Sequence, residues 1–406
     1  MSRATDGNRI ASPLGVTLLL CGAEILGLTG LATFSALLPK FRELWALSNT
    51  RAGWLTGVYY AAYVVAVPVL TALTDHRDAR KILLLGLCTG AAASLGFAVW
   101  TDGFGSALVW RFLSGISLAG IYMPGLKLLS DHTEGPKQSR YVSFYTASFS
   151  LGTSLSYFLA GEVDALAGWR WAFAWSGLLT LAGVFLVLIR VPRGRVTFPE
   201  AASPTGVGIR GVLKSRGAMA YILGYAAHMW ELFSMRAWMV AFLAFCQGVH
   251  PSATTVLSPN RVTALINLIG LPASIGGNEL CRRFGRRKTV TIIMLVSAAL
   301  SVCVGFSSAW PYGLVVALTL VYGVAVLGDS ASLTAGAVAS SPPGSRGATL
   351  AVHSTLGFGA AFLGPLAVGV VLDFFPGDPA AGWAAAFILM GAGCALGPVA
   401  LMRRGR

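Results

Sequence analysis

Long apolar blocks alternate with short polar connections along almost the whole chain. Many blocks are near the ~20 residues that an α-helix needs to cross a bilayer. A helix satisfies its own backbone hydrogen bonds in lipid, whereas a lipid-facing β-barrel shows short alternating segments that this chain lacks. The pattern predicts an all-α membrane protein with twelve transmembrane helices. The predicted spans are Leu14–Leu38, Gly53–Leu73, Ile82–Trp100, Gly105–Leu126, Tyr141–Gly161, Trp171–Arg190, Ala218–Cys246, Val262–Cys281, Thr289–Ser308, Tyr312–Ala335, Gly347–Val371 and Trp383–Met402.

Charged side chains fall mainly in the connections, and basic residues favour one side of the predicted membrane. The chain has 30 Lys and Arg against 16 Asp and Glu. The opposite side receives only Lys40, Arg42, Arg51, Arg170 and Arg261. Because cytoplasmic loops are rich in Lys and Arg, this bias predicts an inner-membrane protein with both termini in the cytoplasm. The same placement explains the net charge of +14 without a nucleic-acid partner.

The chain is predicted to consist of two related halves. Residues 191–217 form the one long polar connection and are expected to be a cytoplasmic linker. They separate an N-terminal six-helix bundle, residues 1–190, from a C-terminal one, residues 218–406. The run GWRWAF at 168–173 opens the sixth span, and GWAAAF at 382–387 opens the twelfth. Two pseudo-symmetric six-helix bundles around a midplane site are typical of a secondary transporter.

Two basic connections occupy equivalent places in the halves. The first runs LTDHRDARK at 73–81, and the second runs GNELCRRFGRRK at 277–288. They resemble the signature loops of the major facilitator superfamily, although the second has Arg282 where the family has Asp. The resemblance implies that these loops form cytoplasmic gate contacts. The expected gate residues are Asp75, Arg77, Arg80, Lys81, Gly277, Gly285, Arg286 and Arg287.

Two ionisable residues in the first half are candidates for proton coupling. Arg111 precedes a run of small residues in the fourth span, and this run is similar to a motif of the same superfamily. A charge inside the membrane is costly, by ~2.5–3.5 kcal/mol at the centre, so a partner or a wet cavity is expected. Glu24 lies near the middle of the first span, where a buried carboxyl could exchange a proton. The family resemblance suggests that Glu24 and Arg111 are functionally linked; snorkelling of Arg111 and simple packing of Glu24 are the alternatives.

The seventh span is the most polar of the twelve. At 100° per residue, its side chains His228, Glu231 and Trp238 share a face that is expected to point into the cavity. We predict substrate contacts at His228, Trp230, Glu231, Arg236 and Trp238, since aromatic rings beside a carboxylate could hold an organic cation or an aromatic solute. Packing of the two tryptophans and a structural pairing of Glu231 and Arg236 are the alternatives.

Two further ionisable residues lie in the last three spans. Asp329 is in the middle of the tenth span, where a carboxylate is a functional candidate, with Arg236 as a possible partner. His353 in the eleventh span could relay protons, or it could be a hydrogen-bonded packing residue. The proton-coupling prediction therefore includes Glu24, Arg111, Asp329 and His353. The fifth span lacks the Gly-Pro pair of drug antiporters.

These features favour proton-coupled efflux of a drug or metabolite over three alternatives. Proton-coupled uptake of a small organic anion, held by Arg111 and Arg236, is the nearest alternative. A non-transporting membrane sensor is more distant, because no long non-membrane segment is present. An enzyme is not expected, since no nucleophile–base pair or phosphate-binding glycine loop occurs. The six cysteines form no CxxC pair, so no metal and no cofactor are expected; the protein is predicted to be a monomer in the bilayer, with a small solute and protons as its partners.

Overall fold

The computed structural model describes residues 12–133, 138–194, 208–249 and 257–403. Within these ranges all regular structure is helical, which confirms the all-α prediction. A short 3₁₀ helix, Phe306–Ala309, follows α12. The α-helices are α1 Pro13–Gly27, α2 Thr33–Ala36, α3 Leu38–Leu44, α4 Asn49–His76, α5 Ala79–Trp100, α6 Phe104–His132, α7 Gln138–Ala167, α8 Trp169–Arg190, α9 Gly208–Lys214, α10 Arg216–Val249, α11 Pro259–Phe284, α12 Arg286–Gly305, α13 Tyr312–Gly328, α14 Ser330–Ala339, α15 Arg346–Asp373 and α16 Pro379–Arg403.

Each of the twelve predicted spans overlaps helical residues. Nine segments within the described ranges are long and apolar enough to cross a membrane. The first span differs because its helix α1 has only 15 residues. The fifth and eighth spans, α7 and α11, are long enough but richer in polar side chains. The structure is therefore compatible with twelve spans.

The first span is interrupted between α1 and α2. Backbone groups in such a gap cannot bond to water within lipid, so other partners must satisfy them. The hydroxyl of Ser156 on α7 donates to the carbonyl of Thr29 at 2.7 Å and accepts from the Ala32 N–H at 3.0 Å. Ser176 on α8 donates to the same Thr29 carbonyl at 3.1 Å. Hydroxyls from two neighbouring helices thus stabilise the break.

The tenth span is also interrupted, at Asp329 between α13 and α14. At this point α11 lies so close to the break that a side chain on Gly277 would collide with the carbonyl oxygen of Gly328. The absence of a side chain at Gly277 therefore allows the close contact of α11 with the break.

The first half, α1–α8, and the second half, α10–α16, meet along two seams. Within the first half, α5 packs on α6 and α8, and α1 packs on α7 and α8. Within the second half, α10 and α12 pack on α16, and α11 packs on α13. Between the halves, α4 packs on α15, and α7 packs on α11. These two contacts are related by the repeat, because each joins the second span of one half to the fifth span of the other.

The residues between the halves are described in part. Residues 195–207 of the predicted linker lie outside the described ranges. Within the predicted linker, Gly208–Lys214 forms α9. This short helix is held by burial of one apolar side chain, Val212, which packs with Ala218, Ile222 and Ala337.

Candidate functional site

One end of the molecule, which we call the closed end, is sealed between the halves where α4 begins and α15 ends. The carboxylate of Asp373 accepts hydrogen bonds from the backbone N–H groups of Asn49 and Thr50, both at 2.8 Å, and from Asn49 Nδ2 at 2.9 Å. The side-chain-free surface of Gly369 faces the backbone of Asn49, and Gly53 faces the backbone at Pro365. These glycines allow α4 and α15 to approach closely.

A second contact at the closed end joins α7 to α11. Arg261 forms a two-pronged ion pair with Glu162, with its Nε 2.7 Å and its Nη2 2.9 Å from the two carboxylate oxygens. Gly161 faces the side chain of Asn260, and Ser154 donates to the Ala264 carbonyl at 2.8 Å. The two contacts together close this end.

At the opposite end, which we call the open end, a cavity of about 1210 Å³ lies where the second half meets the first. Val142 of the first half lines it, facing residues of the second half that include Ala335, Val338, Arg286 and Arg346. A molecule closed at one end and hollow at the other has the geometry of one state in an alternating-access cycle.

Arg111 lies in the first half without a carboxylate partner. Its side chain is almost completely buried, with 1% of the residue exposed. Its Nε donates to the carbonyl of Leu55 at 3.1 Å, and its guanidinium carbon lies 4.6 Å from the centre of the Tyr59 ring. Among the described residues, no Asp or Glu comes within ion-pair distance of Arg111, and snorkelling to the surface does not occur.

Arg236 occupies a comparable position in the second half. Its Nε donates to Asn267 Oδ1 at 2.9 Å, and its guanidinium carbon lies 5.2 Å from the Phe233 ring and 5.9 Å from the Phe149 ring. Its backbone carbonyl accepts a hydrogen bond from Tyr157 of the first half. In the part of the chain that the structure describes, Arg236 also has no carboxylate in ion-pair range.

A series of ring contacts joins the two arginines across the boundary between the halves. Beyond the contact of Arg111 with Tyr59, the centres of the Tyr59 and Tyr60 rings are 5.1 Å apart. Tyr60 then meets Phe233 with ring centres at 4.5 Å, and Phe233 contacts Arg236. Two unneutralised guanidinium groups therefore flank one aromatic surface. We call these five residues the arginine–aromatic bridge.

Glu24 is buried on α1, and its described contacts do not include Arg111. One carboxylate oxygen accepts a hydrogen bond from Ser148 on α7, and the other has no hydrogen-bond partner among the described residues. No described hydrogen bond or ion pair joins Glu24 to Arg111, so the structure does not bring this predicted pair into direct contact.

The ionisable residues of the seventh span contact the interior of the second half. Glu231 accepts hydrogen bonds from Ser297 at 2.9 Å and from Tyr322 at 3.1 Å. His228 Nδ1 lies 2.7 Å from Asp329 Oδ1, so Asp329 pairs with this histidine and not with Arg236. The shared face of His228 and Glu231 thus points toward α12 and α13, which corrects the expectation that it points into the cavity.

The two predicted substrate-binding tryptophans are held by backbone carbonyls of the second half. Trp230 Nε1 donates to Leu389 at 3.3 Å, and Trp238 Nε1 donates to Pro365 at 2.9 Å. Trp238 is fully buried and packs edge-on against Trp383. These contacts are those of packing residues, because each indole N–H needs a partner when it is buried.

His353 faces Thr334, with its Nε2 3.2 Å from the hydroxyl oxygen. Its ring stacks on Tyr225 at 3.7 Å between ring centres. Its Nδ1 is buried and has no hydrogen-bond partner among the described residues.

The predicted gate loops lie at the open end and bond within their own halves. Arg80 donates to the carbonyls of Val187 and Leu188, at 3.1 and 2.7 Å, at the C-terminal end of α8. Arg287 donates to the carbonyl of Met402 at 2.8 Å in the equivalent place on α16. Both guanidinium groups bond to carbonyls in the last turn of a helix, where backbone acceptors lack partners further along the helix; Val187 also accepts from the Val191 N–H. Asp75, Arg77 and Lys81 are exposed, Arg286 lines the cavity, and Gly285 turns the chain with φ of 91°.

Several residues of this arrangement were not singled out from the sequence. They are Tyr59, Tyr60, Phe233 and Asn267 around the arginines, and Asp373 at the closed end. A signal for the closed end was present, since SNTR at 48–51 and SPNR at 258–261 begin the second span of each half. In both, a serine hydroxyl accepts from the arginine N–H three residues later and caps the helix. Within the described ranges no cluster of three or more potential metal ligands occurs.

Comparison with known proteins agrees with this architecture. The sequence model of the Major Facilitator Superfamily matches residues 20–277. Protein spinster homolog 1 of Bos taurus is 24% identical over 289 residues, covering 67% of this chain and 55% of that protein. Sphingosine-1-phosphate transporter SPNS2 of Danio rerio is 24% identical over 319 residues, covering 73% and 63% respectively. The uncharacterized MFS-type transporter YcaD of Escherichia coli is 27% identical over 299 residues, covering 70% and 72%.

Solved structures of low sequence identity share the fold. A bacterial homolog of the human lysosomal transporter Spinster, in an inward-facing and unoccupied conformation, has a TM-score of 0.76 at 14% identity, over 98% of this chain and 96% of the other. The nucleoside transporter NupG has a TM-score of 0.76 at 15% identity, over 96% and 100%. The alignments span about half the length of three spinster homologs, at 47%, 55% and 45%. Because the superfamily model matches more than half of the sequence, this multi-pass membrane protein belongs to the major facilitator superfamily.

Proposed function

We propose that this protein is a secondary active transporter that moves an amphipathic organic anion across the inner membrane by alternating access. The halves, residues 1–190 and 218–406, would rock about the seams α4–α15 and α7–α11, joined by the linker 191–217. The basic residues of the open end suggest that this end and both termini face the cytoplasm. The observation that carries the proposal is the arginine–aromatic bridge.

The bridge favours an anion because an unpaired buried charge is costly. Removing one partner from a buried ion pair destabilises a protein by about 3–5 kcal/mol, since an uncompensated charge remains. Arg111 and Arg236 have no described carboxylate partner, although each is at least 95% buried. A solute with a phosphate or carboxylate group would supply the missing charge, and Arg holds such groups with two parallel hydrogen bonds. The rings between the arginines are buried in this state and would contact the apolar part of the solute when it binds.

The comparisons support the same solute class. The relatives include proteins named sphingosine-1-phosphate transporter, a name that specifies a phosphate-bearing cargo. The preference for export of a drug or metabolite rested on Glu24 in the first span and on the aromatic seventh span. Because Trp230, Trp238 and Glu231 bond inside the second half, these side chains do not favour a cationic solute. Efflux as the direction of transport stays a prediction.

Proton coupling is part of the proposal and is assigned first to Glu24. This carboxyl is buried, and one of its oxygens has no described hydrogen-bond partner. Such a group favours the protonated form when it is shielded from water and the ionised form when the cavity admits water.

Binding of dodecyl phosphate to the protein in nanodiscs tests the solute class. Arg236→Gln and Arg111→Gln are each expected to weaken binding at least 10-fold, because a charge-assisted bidentate contact is lost. Arg170→Gln is the matched control, since Arg170 also bonds backbone carbonyls, at 2.7 Å from Ala98, and lies over a Trp ring, but away from the bridge. If the Arg236→Gln variant does not fold, binding is measured with Arg236→Lys, which keeps the positive charge but loses the bidentate contact.

Two outcomes would contradict the proposal. One is equal binding of dodecyl phosphate to wild-type protein and both Gln variants. The other is equal binding of dodecyl phosphate and an uncharged dodecyl glycoside, since the guanidinium groups would then contribute nothing to recognition.

A further inference from the structure

The interruption of the tenth span brings Asp329 against His228 on α10. His228 Nδ1 and Asp329 Oδ1 are 2.7 Å apart, and the two residues are 1% and 2% exposed. The second ring nitrogen of His228, Nε2, is buried and has no hydrogen-bond partner among the described residues. Asp329 Oδ1 likewise has no partner of hydrogen-bond geometry among the described residues, so its contact with Nδ1 is a close approach of two chargeable groups, and Nε2 offers a free position for a proton.

The other titratable groups near this pair come from α10, α15 and α16. Glu231 lies one turn further along α10, and Cys394 projects from α16; both interact electrostatically with Asp329. His353 of α15 interacts with His228. Tyr225 stacks between the two histidines, 3.7 Å from His353 and 5.9 Å from His228.

The helices α11 and α12 supply only neutral polar groups nearby. Asn278 accepts from Ser332 of α14 at 3.2 Å, and Ser297 bonds to Glu231. Among the described residues, no Lys or Arg forms an ion pair with Asp329 or Glu231. Among the described residues, His228 is therefore the only side chain within ion-pair reach of Asp329 that can carry a positive charge.

We propose that the His228–Asp329 pair is a second proton-binding site, in the half opposite to Glu24, and that its occupancy biases the position of α14. The inference rests on the proposed transport function. A proton from water binds the lone pair of His228 Nε2 and converts an anionic pair into a neutral one. In an apolar interior the neutral pair is favoured, whereas contact with water favours release.

The link to movement follows from the placement of Asp329 at the helix break. The pair joins α10 to the start of α14, and α14 lines the open cavity through Ala335, Val338 and Ala339. Thr334 of α14 also contacts His353. When the pair gains or loses its charge, the attraction between α10 and α14 changes. The position of α14, which forms part of the cavity wall, changes as a result.

Nitrogen-15 NMR of histidine-labelled protein in bilayers tests the proton site without a solute. The chain has five histidines, so the His228 signals can be assigned by comparison with His228→Gln. Between pH 4 and pH 9 the ring is expected to change from the protonated to the neutral form. With Asp329→Asn the ring is expected to stay neutral throughout, because the anion that stabilises the imidazolium is absent. His132→Gln is the control, since His132 bonds its own helix at Leu128 in the other half.

A second measurement tests the coupling. Asp329→Asn and His228→Gln are expected to lose accumulation of dodecyl phosphate driven by a pH gradient in proteoliposomes and to keep its exchange between equal pH values. A His228 ring that stays neutral from pH 4 to pH 9 in wild-type protein would overturn the inference, as would undiminished gradient-driven accumulation in both variants. Absence of exchange in wild-type protein would instead refute the proposed function, whatever the NMR result.

Discussion

Asp373 provides the sharpest test of the closed end. Its carboxylate accepts from the first two backbone N–H groups of α4 and from the side chain of Asn49. These N–H groups have no partner within their own helix. Asp373 thus caps a helix of the first half from the second half, and this cap exists only while the closed end is sealed.

The size of the effect follows from the lost hydrogen bonds. Hydrogen bonds to a charged group contribute about 1.5–3 kcal/mol, and loss of a helix cap costs about 0.5–2 kcal/mol. The Asp373 side chain is exposed, so solvent screening favours the lower part of these ranges. Asp373→Ala should therefore destabilise the sealed state by about 1–2 kcal/mol, which changes its population relative to the separated state by roughly 5- to 30-fold.

Electron–electron distance measurements between spin labels at the closed end report this population. Leu166, 88% exposed at the end of α7, and Phe306, 61% exposed after α12, place one label on each half. Asp373→Ala is expected to increase the fraction of longer distances. Asp378→Ala is the matched control, because Asp378 accepts from the Ala381 N–H at 3.0 Å within the second half alone. An unchanged distance distribution in Asp373→Ala, or an equal change in the control, would refute the reasoning.

Three further predictions concern the closed end, the first span and proton coupling. Gly53→Val should open the closed end in the same distance measurement, because its Cβ would lie 2.7 Å from the Pro365 carbonyl oxygen. Gly103→Val should leave the distances unchanged, because no atom lies within 4 Å of the position of its Cβ. Ser156→Ala should lower the thermal unfolding midpoint, since the buried Ala32 N–H loses its partner at a cost of about 1–3 kcal/mol, while the Thr29 carbonyl still accepts from Ser176; an unchanged midpoint would show that the gap is stabilised otherwise. Glu24→Gln should abolish the accumulation of dodecyl phosphate that a pH gradient drives in proteoliposomes, and it should keep exchange of dodecyl phosphate at equal pH. Accumulation at the wild-type rate would show that Glu24 does not couple transport to protons.

Much of the fold could be predicted from the sequence because each bilayer-spanning helix must be both long and apolar. That requirement fixed where helices occur, including the partly polar α7 and α11. It could not locate the two interruptions, in the first and tenth spans. The gap after α1 is stabilised by hydroxyls of Ser156 and Ser176, which are more than 120 residues away in the chain.

The orientation of the seventh span illustrates a second limit. The helical angle of 100° per residue correctly separates Arg236 from Glu231 around the axis. It does not say which side faces the other half. The partners decide this, because Ser297 and Tyr322 hold Glu231 inside the second half, while Tyr157 of the first half bonds at Arg236.

The predicted pairing of ionisable residues depends on such partners as well. Asp329 pairs with His228, and Arg236 pairs with the neutral Asn267. Sequence spacing identifies which residues are costly to bury. The three-dimensional contacts decide which of them stay without a counter-charge.

Arg111 and Arg236 are proposed to receive the charge of the solute, and a structure of the protein with dodecyl phosphate bound tests this assignment. The phosphate is expected within hydrogen-bond distance of at least one of the two guanidinium groups, with the alkyl chain along Tyr59, Tyr60 and Phe233. A phosphate bound instead at Arg286 and Arg346 in the mouth of the open cavity, with the arginine–aromatic bridge unchanged, would contradict it.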